Sequence, residues 1–314
     1  MPEGGALDPI MLRLANWLVG NADGEGALEM RFGGPLMEVR EAPIRLAVAG
    51  DGVEIELLPP LEARIPAYRS LTLTPGQSFR VVLTGGAPCY LAVEGGFDIP
   101  PVLGSLSTLP IGGVGGFQGR ALAQGDLVPL RLSNPSRDGE LALRPPKFPP
   151  PAAIRVIVGP QADRFTEEAL HSFLSEAFTI SPLSDRMGLR LEGPRLTHSG
   201  GFDLISDGSP HGAVQVPGSG QPIVLLADRG TTGGYPKIAV VITADLPVLG
   251  RLPPGAKLRF EAVSHAEAVA ALRAQDALLA SLKASITRYR DPAEELSRAL
   301  LEENIISGVT DAGC

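Results

Sequence analysis

Cysteine is nearly missing from this sequence. Cys89 and Cys314 are the only two, far apart and in no C-x-x-C arrangement. That argues against a disulfide framework or a zinc site and fits a reducing, cytoplasmic setting. Histidine is almost as scarce: His171, His198, His211 and His265 are scattered and read as surface or internally satisfied residues, so no metal site is expected. There is no basic run, and the formal net charge of −8 argues against a nucleic-acid partner. No apolar stretch reaches membrane-spanning length; residues 10–19 are too few and include Arg13 and Asn16, so no membrane is expected. The opening residues do not read as a signal peptide. No M-K-M sequence marks a biotin attachment site.

What the chain does have is glycine and proline, 38 and 30 of its 314 residues, spread throughout and not massed in one tract. The reading is many short strands joined by tight turns, with length enough for two cores. Residues 8–21 form the first periodic segment: Asp8 suits the N-cap, Pro9 the first helical position, and Ile10, Leu14, Trp17 and Leu18 one apolar face. From 27 to about 144 the pattern is β throughout, including runs at 28–32, 36–40 and 44–49. A hairpin signal at Gly50-Asp51-Gly52 leads into the alternating run 53–57. Strands this short and closely spaced indicate a closed barrel or sandwich.

The tract Pro145-Pro146-Lys147-Phe148-Pro149-Pro150-Pro151 reads as a semi-rigid linker. The expected organisation is a first β subdomain with its helix at 1–144, the linker at 145–151, a second β subdomain at 152–264 and a C-terminal helical extension at 265–314. Within the second subdomain, 163–178 is predicted helical. In the extension, Val269, Leu272, Leu279, Leu282 and Ile286 make an apolar stripe, and Asp291-Pro292-Ala293-Glu294 opens a further helix. That extension reads as a packing element.

Three constellations carry the polar chemistry. The first is 221–242, an apolar run, a loop holding Asp228, Arg229, Thr231, Thr232, Tyr235 and Lys237, and a second apolar run. It reads as strand, loop, strand, a hairpin with function at its tip. It is not a phosphate-binding P-loop, because its lysine opens a strand and no helix follows. Gly233-Gly234 could turn amides toward an anion beside Arg229 and Lys237. The bland alternative is a surface hairpin whose Asp228 and Arg229 pair with each other. The second constellation is the glycine-rich stretch 94–120, where Ser105, Ser107 and Thr108 could line a polar pocket or simply sit in barrel-closing turns; none has a histidine at a triad-like spacing. The third is 181–193, which sets Asp185 and Arg186 before a strand, a pair more often structural than a carboxylate clamp.

Taken together, the stretches 8–21, YLAVEGGFDIPP at 90–101, LGSLST at 103–108, 112–120, 180–193 and above all 215–242 resemble the allophanate-hydrolase-subunit-2 family. That family includes the C subunit of 5-oxoprolinase, the KipA-like proteins and one half of the carboxyltransferase region of urea carboxylase. The resemblance implies a mainly β fold of cyclophilin-like barrel subdomains with a few peripheral helices. It implies partners, a subunit-B-like (KipI-like) protein and a subunit-A-like protein. The implied activity is ATP-dependent opening of the 5-oxoproline lactam to glutamate, with ATP bound somewhere in the complex. The alternatives are the carboxyltransferase half of a biotin-dependent urea-type carboxylase, with biotin on another chain, or a KipA-like regulatory binding protein without catalysis. For a small lactam or amide, the expected roles are proton handling by Asp228 and Tyr235 and carboxylate or phosphate contact by Arg229 and Lys237. Gln215 and Gln221 would orient the amide, and Thr231, Thr232, Ser107, Thr108 and Arg186 would line the substrate.

Overall fold

The computed structural model describes residues 1–149 and 151–290. Helix α1 (Pro9–Leu18) begins where the sequence places it. One carboxylate oxygen of Asp8 accepts from the N–H groups of Ile10 and Met11 at 3.0 and 3.3 Å, and Pro9 sits in the first turn, where a missing donor costs nothing. Its apolar face, Ile10, Leu14, Trp17 and Leu18, is buried in the first of two cores.

The first core is built by β1 (Leu28–Met30), β2 (Leu36–Glu38), β3 (Ile44–Ala49), β4 (Val53–Leu57), β5 (Ala63–Pro66), β6 (Ser70–Leu73), β7 (Ser78–Leu83) and β8 (Cys89–Val93). They form two four-stranded antiparallel sheets, β1-β8-β3-β6 and β2-β7-β4-β5. In β4 the period of two is clean: Val53, Ile55 and Leu57 face the core while Glu54 and Glu56 face outward. The hairpin predicted at Gly50-Asp51-Gly52 does not form. The turn instead carries the chain from one sheet to the other. Strand β3 is buried from Arg45 to Ala49, and both its edges are occupied by β8 and β6.

The second core follows β9 (Leu141–Ala142). It comprises β10 (Ile154–Val158), α2 (Glu167–Ser175), β11 (Phe178–Ile180), β12 (Gly188–Glu192), β13 (Asp207–Gly208), β14 (Ala213–Gln215), β15 (Ile223–Leu225), β16 (Thr232–Gly233), β17 (Lys237–Val241), α3 (Leu246–Arg251), β18 (Lys257–Leu258) and β19 (Phe260–Ala262). Eight strands run in the order β18-β11-β12-β15-β14-β17-β10-β19. Because β18 and β19 are successive pieces of one segment, the sheet curls into a nearly closed barrel. The fold is therefore mainly β, as the sequence pattern predicts. Helix α2 is shorter than predicted: Thr166 caps it, and Phe178, fully buried against Phe173 and Phe260, has already entered β11. The 221–242 stretch is not a hairpin either. Strand β14 pairs with both β15 and β17 and lies between them, so the 226–236 loop must cross from one side of β14 to the other.

Leu7 belongs to the second core while α1, which follows it directly, belongs to the first. Gly250 admits this crossing: a side-chain carbon there would stand 2.3 Å from the Leu7 carbonyl. Arg251 then donates to both carboxylate oxygens of Asp8, whose side chain is fully buried. Helix α4 (His265–Ala284) starts with a capping box at Ser264 and Glu267 and returns to the first core, where it buries Leu279. Beyond it β20 (Thr287–Arg288) pairs with β9. The helix predicted from Asp291 lies outside the described residues. Among the described residues no helix is long and apolar enough to cross a membrane.

Candidate active site

The 226–236 loop leaves β15 and is fastened at once. Asp228, 5% exposed, accepts from Arg186 in a two-pronged contact, Nε to Oδ2 at 2.8 Å and Nη2 to Oδ1 at 3.0 Å. Its backbone N–H donates to the Arg186 carbonyl at 2.9 Å. The guanidinium also donates to Glu29 on β1 and, at 2.7 Å, to the Gly5 carbonyl. Glu29 in turn accepts from the Tyr90 hydroxyl at 2.7 Å and the Leu7 N–H at 3.0 Å, and the Tyr90 oxygen accepts from the Asp8 N–H at 2.9 Å. Arg186 thus links a site loop of the second core to a strand of the first. Burial works against its charge, but the two carboxylates outweigh that and hold the guanidinium above its usual range. Burial, with Glu29 adding to it, drives the Tyr90 phenol well above its usual range.

Neither local acid–base pair suggested by sequence proximity forms. Asp185 instead accepts from the N–H groups of Met187 and Gly188 at 2.8 and 3.2 Å, fixing the entrance to β12. Arg229 donates to the Ser209 carbonyl at 2.9 Å. The partners that matter lie 42 residues apart in the chain.

At the other end of the loop, Lys237 and Gln215 stand opposite each other on β17 and β14, next to a register shift after Val214. Both are buried, at 2% and 8% exposure. Gln215 donates to the Ser209 hydroxyl at 3.1 Å, and Ser209 is itself buried. The Lys237 ammonium meets Asp207 at 3.4 Å, while its backbone N–H donates to Gln161 at 3.2 Å. Gly233 lies close against the Gln215–Ser209 pair, since a side-chain carbon there would come within 2.4 Å of the Gln215 amide nitrogen. The side chains of Thr231 and Thr232 are exposed, and Tyr235 is 40% exposed beside them. His211 follows Ser209 and Pro210; burial, then Arg229, pushes its imidazole down to about 4 from 6.5, against an opposing pull from Glu3.

His211 gives a signed pH dependence. Between pH 6.5 and about 4 the unfolded imidazole takes up a proton that the folded one refuses. Stability is therefore full above 6.5 and falls as the pH drops toward 4. Since the ring is partly solvated, the loss attributable to it is about 1 kcal/mol. Urea midpoints of His211→Gln across that window should decline less steeply than those of the parent. An unchanged slope would contradict this assignment.

The remaining sequence candidates sit elsewhere. The Ser107 hydroxyl accepts from the Gly5 N–H at 2.9 Å, and Ser105 donates to the Glu3 carbonyl at 3.2 Å, so both hold the opening segment, whose Gly4 lies beside Ser107 and faces Asp228. Thr108 packs on Gly116. Gln221 closes both of its amide groups onto the backbone of Gly193, at 3.0 and 3.1 Å, and shares no hydrogen bond with the Lys237 cluster. The structure thus gathers Gln215 and Arg229 around Ser209, sets Lys237 opposite Gln215, and fastens Asp228 onto Arg186. Ser209, Asp207, Gln161, His211 and Glu29 do not stand out in the sequence. The one local signal is the Gly208-Ser209-Pro210-His211-Gly212 turn just before β14. A separate cleft of about 340 Å³ lies in the first core by Leu18, Asn21, Leu132 and Asp138. Its buried Arg45 and half-buried Glu94 pair at 3.1 Å, and both bind Ser136.

A buried ammonium, a side-chain amide, a hydroxyl, a guanidinium and a neutral imidazole suit the holding of a carboxylate and the polarising of a carbonyl.

Residues 1–262 match the family described as carboxyltransferase domain, subdomain A and B. The chain belongs to this carboxyltransferase family. It is 38% identical to the C subunit of 5-oxoprolinase from Escherichia coli, over 86% of this chain and 86% of that one. Against the C subunit of 5-oxoprolinase from Haemophilus influenzae the identity is 34%, over 89% and 88%. Among solved structures, TTHA0988 superimposes with a TM-score of 0.72 at 37% identity, covering 83% of this chain. The chain spans about half the length of that protein, 50%. Urea carboxylase of Kluyveromyces lactis superimposes with a TM-score of 0.80 at 27% identity, covering 93% of this chain and 28% of its own.

Proposed function

We propose that this carboxyltransferase-family chain is the C subunit of an ATP-dependent 5-oxoprolinase, which opens the lactam of 5-oxo-L-proline to L-glutamate. The observation that carries the reading is end-to-end similarity to two proteins named as the C subunit of 5-oxoprolinase, over 86% and 88% of their lengths. The geometry supports it. In this reading Lys237 and Arg229 take the substrate carboxylate, and Gln215 with Ser209 orients the lactam amide. Asp228, held by Arg186, and Tyr235 at the loop's open side are the groups proposed for proton handling. Thr231 and Thr232 line the mouth. Ser107 holds the opening segment beside Asp228, while Gln221 and Thr108 lie outside the site. ATP is taken to bind in the assembled complex.

A C subunit implies further subunits, and we take them to be subunit-A-like and subunit-B-like (KipI-like) chains. The test is reconstitution: the three purified chains with 5-oxo-L-proline and ATP should release glutamate and ADP together, and omission of this chain should stop both. A complete mixture that leaves the lactam intact would refute the reading. Carboxyl transfer is the second reading, favoured by the 0.80 superposition on urea carboxylase. It would require a biotin-bearing chain and would yield no glutamate from the lactam.

A further inference from the structure

One contact in the Lys237 cluster is mismatched. The lysine side chain is 3% exposed, whereas its carboxylate partner Asp207 is 61% exposed. The two meet at 3.4 Å, and Asp207 is held otherwise by Gln161 at a further 3.5 Å and by its own turn, where it accepts from the Gly208 N–H at 2.7 Å. Strand β13, which carries Asp207, is two residues long and pairs only with the equally short β16. So small a pairing has little stability of its own. Two more backbone bonds, Leu204 to Gly234 at 2.8 Å and Ser209 to Thr231 at 2.9 Å, join this flap segment to the site loop, and its Ile205 is 95% exposed. A buried ammonium needs a counter-charge or strong acceptors. The flap supplies one from the solvent side, by a long contact and a marginal strand pair.

We infer that Asp207 is a built-in competitor for the anion position at Lys237: a ligand carboxylate enters by displacing it, and the flap 202–208 lifts as it does, while the buried Ser209 stays bonded to Gln215, Arg229 and Thr231. Asp207 is then a specificity-determining residue. It sets how strongly a carboxylate must bind to gain the site, and it keeps Lys237 paired when no ligand is there. A neutral ligand does not replace the counter-charge and gains nothing from the exchange. This inference rests on the proposed site at Lys237, and its carboxylate part does not require the ligand to be a lactam.

The experiment is a set of NMR titrations of the full chain and its Asp207→Asn variant, following the amide signals of residue 207, Gly208 and Lys237. The probes are sodium acetate, 5-oxo-L-proline and 2-pyrrolidinone, the same lactam without its carboxylate. Removing an exposed competitor of this kind is expected to tighten carboxylate binding about two- to five-fold. The introduced side-chain amide would keep an acceptor for Lys237, so the fold should survive, and unchanged amide dispersion will verify this. Tighter acetate and tighter 5-oxoproline, with 2-pyrrolidinone unaffected, is the expected result. Tighter acetate alone upholds the exchange at Lys237 and counts against the lactam reading. Acetate that binds equally or more weakly in the variant, or that binds neither form, overturns the inference whatever the lactam does.

Discussion

Arg186→Ala should cost about 3–5 kcal/mol of stability, the size expected when one partner of a largely buried ion pair is removed. The expectation follows from what the guanidinium holds. It is bonded to Asp228 by two prongs, to Glu29 and to the Gly5 carbonyl, which joins both cores and the opening segment at a single side chain. Without it, two carboxylates share a poorly solvated space with no cation between them. Lysine is not a substitute, because one ammonium cannot reproduce a planar fork that reaches three partners. Arg186→Lys should therefore lose most of the same stability. Removing a carboxylate as well, in Arg186→Ala with Asp228→Ala, should cost less than the two single changes added together, since each alone strands a charge that the pair does not. Urea unfolding midpoints of the parent and the variants check this. A midpoint for Arg186→Ala within error of the parent would mean that the network contributes nothing of this kind.

Lys237→Ala should lower turnover of the reconstituted complex by about 100-fold or more, the range seen when a charge-stabilising donor in a dry site is lost. The lysine is buried on β17 opposite Gln215, so its ammonium acts in a poorly solvated position. The control is Gln221→Ala. Gln221 is bonded only to Gly193 and to its own turn, and turnover should stay within about two-fold of the parent, as for changes remote from the chemistry. Circular dichroism of the free Lys237→Ala chain separates a lost ammonium from a lost fold. Equal effects of the two substitutions would sink the placement of the site.

The sequence and the structure part company at identifiable places. Periodicity and capping locate α1, β3, β4 and the return to helix at α4 well, because each depends on neighbours within a few residues: Asp8 and Pro9, the alternation of 53–57, the apolar stripe that begins at Val269. Strand pairing is not legible in the same way. Gly50-Asp51-Gly52 has the composition of a hairpin turn yet carries the chain between sheets, and the strands flanking the 226–236 loop are separated by β14. Both outcomes depend on which long-range edges are already taken. The site follows the same division. The loop with Asp228, Arg229 and Lys237 stands out by residue type, but Asp228 pairs with Arg186 and not with its neighbour. Glu29 and Tyr90 look like ordinary strand residues, and only folding reveals that they hold Arg186 and the opening segment.

Substrate held on this chain, at Lys237, is what a structure of the reconstituted complex with 5-oxo-L-proline bound tests most directly. The ligand carboxylate should lie within hydrogen-bonding distance of Lys237, roughly 3 Å, with Asp207 displaced and Gln215 at the lactam amide. A ligand seated on another subunit, with the Lys237–Asp207 contact intact, would contradict it.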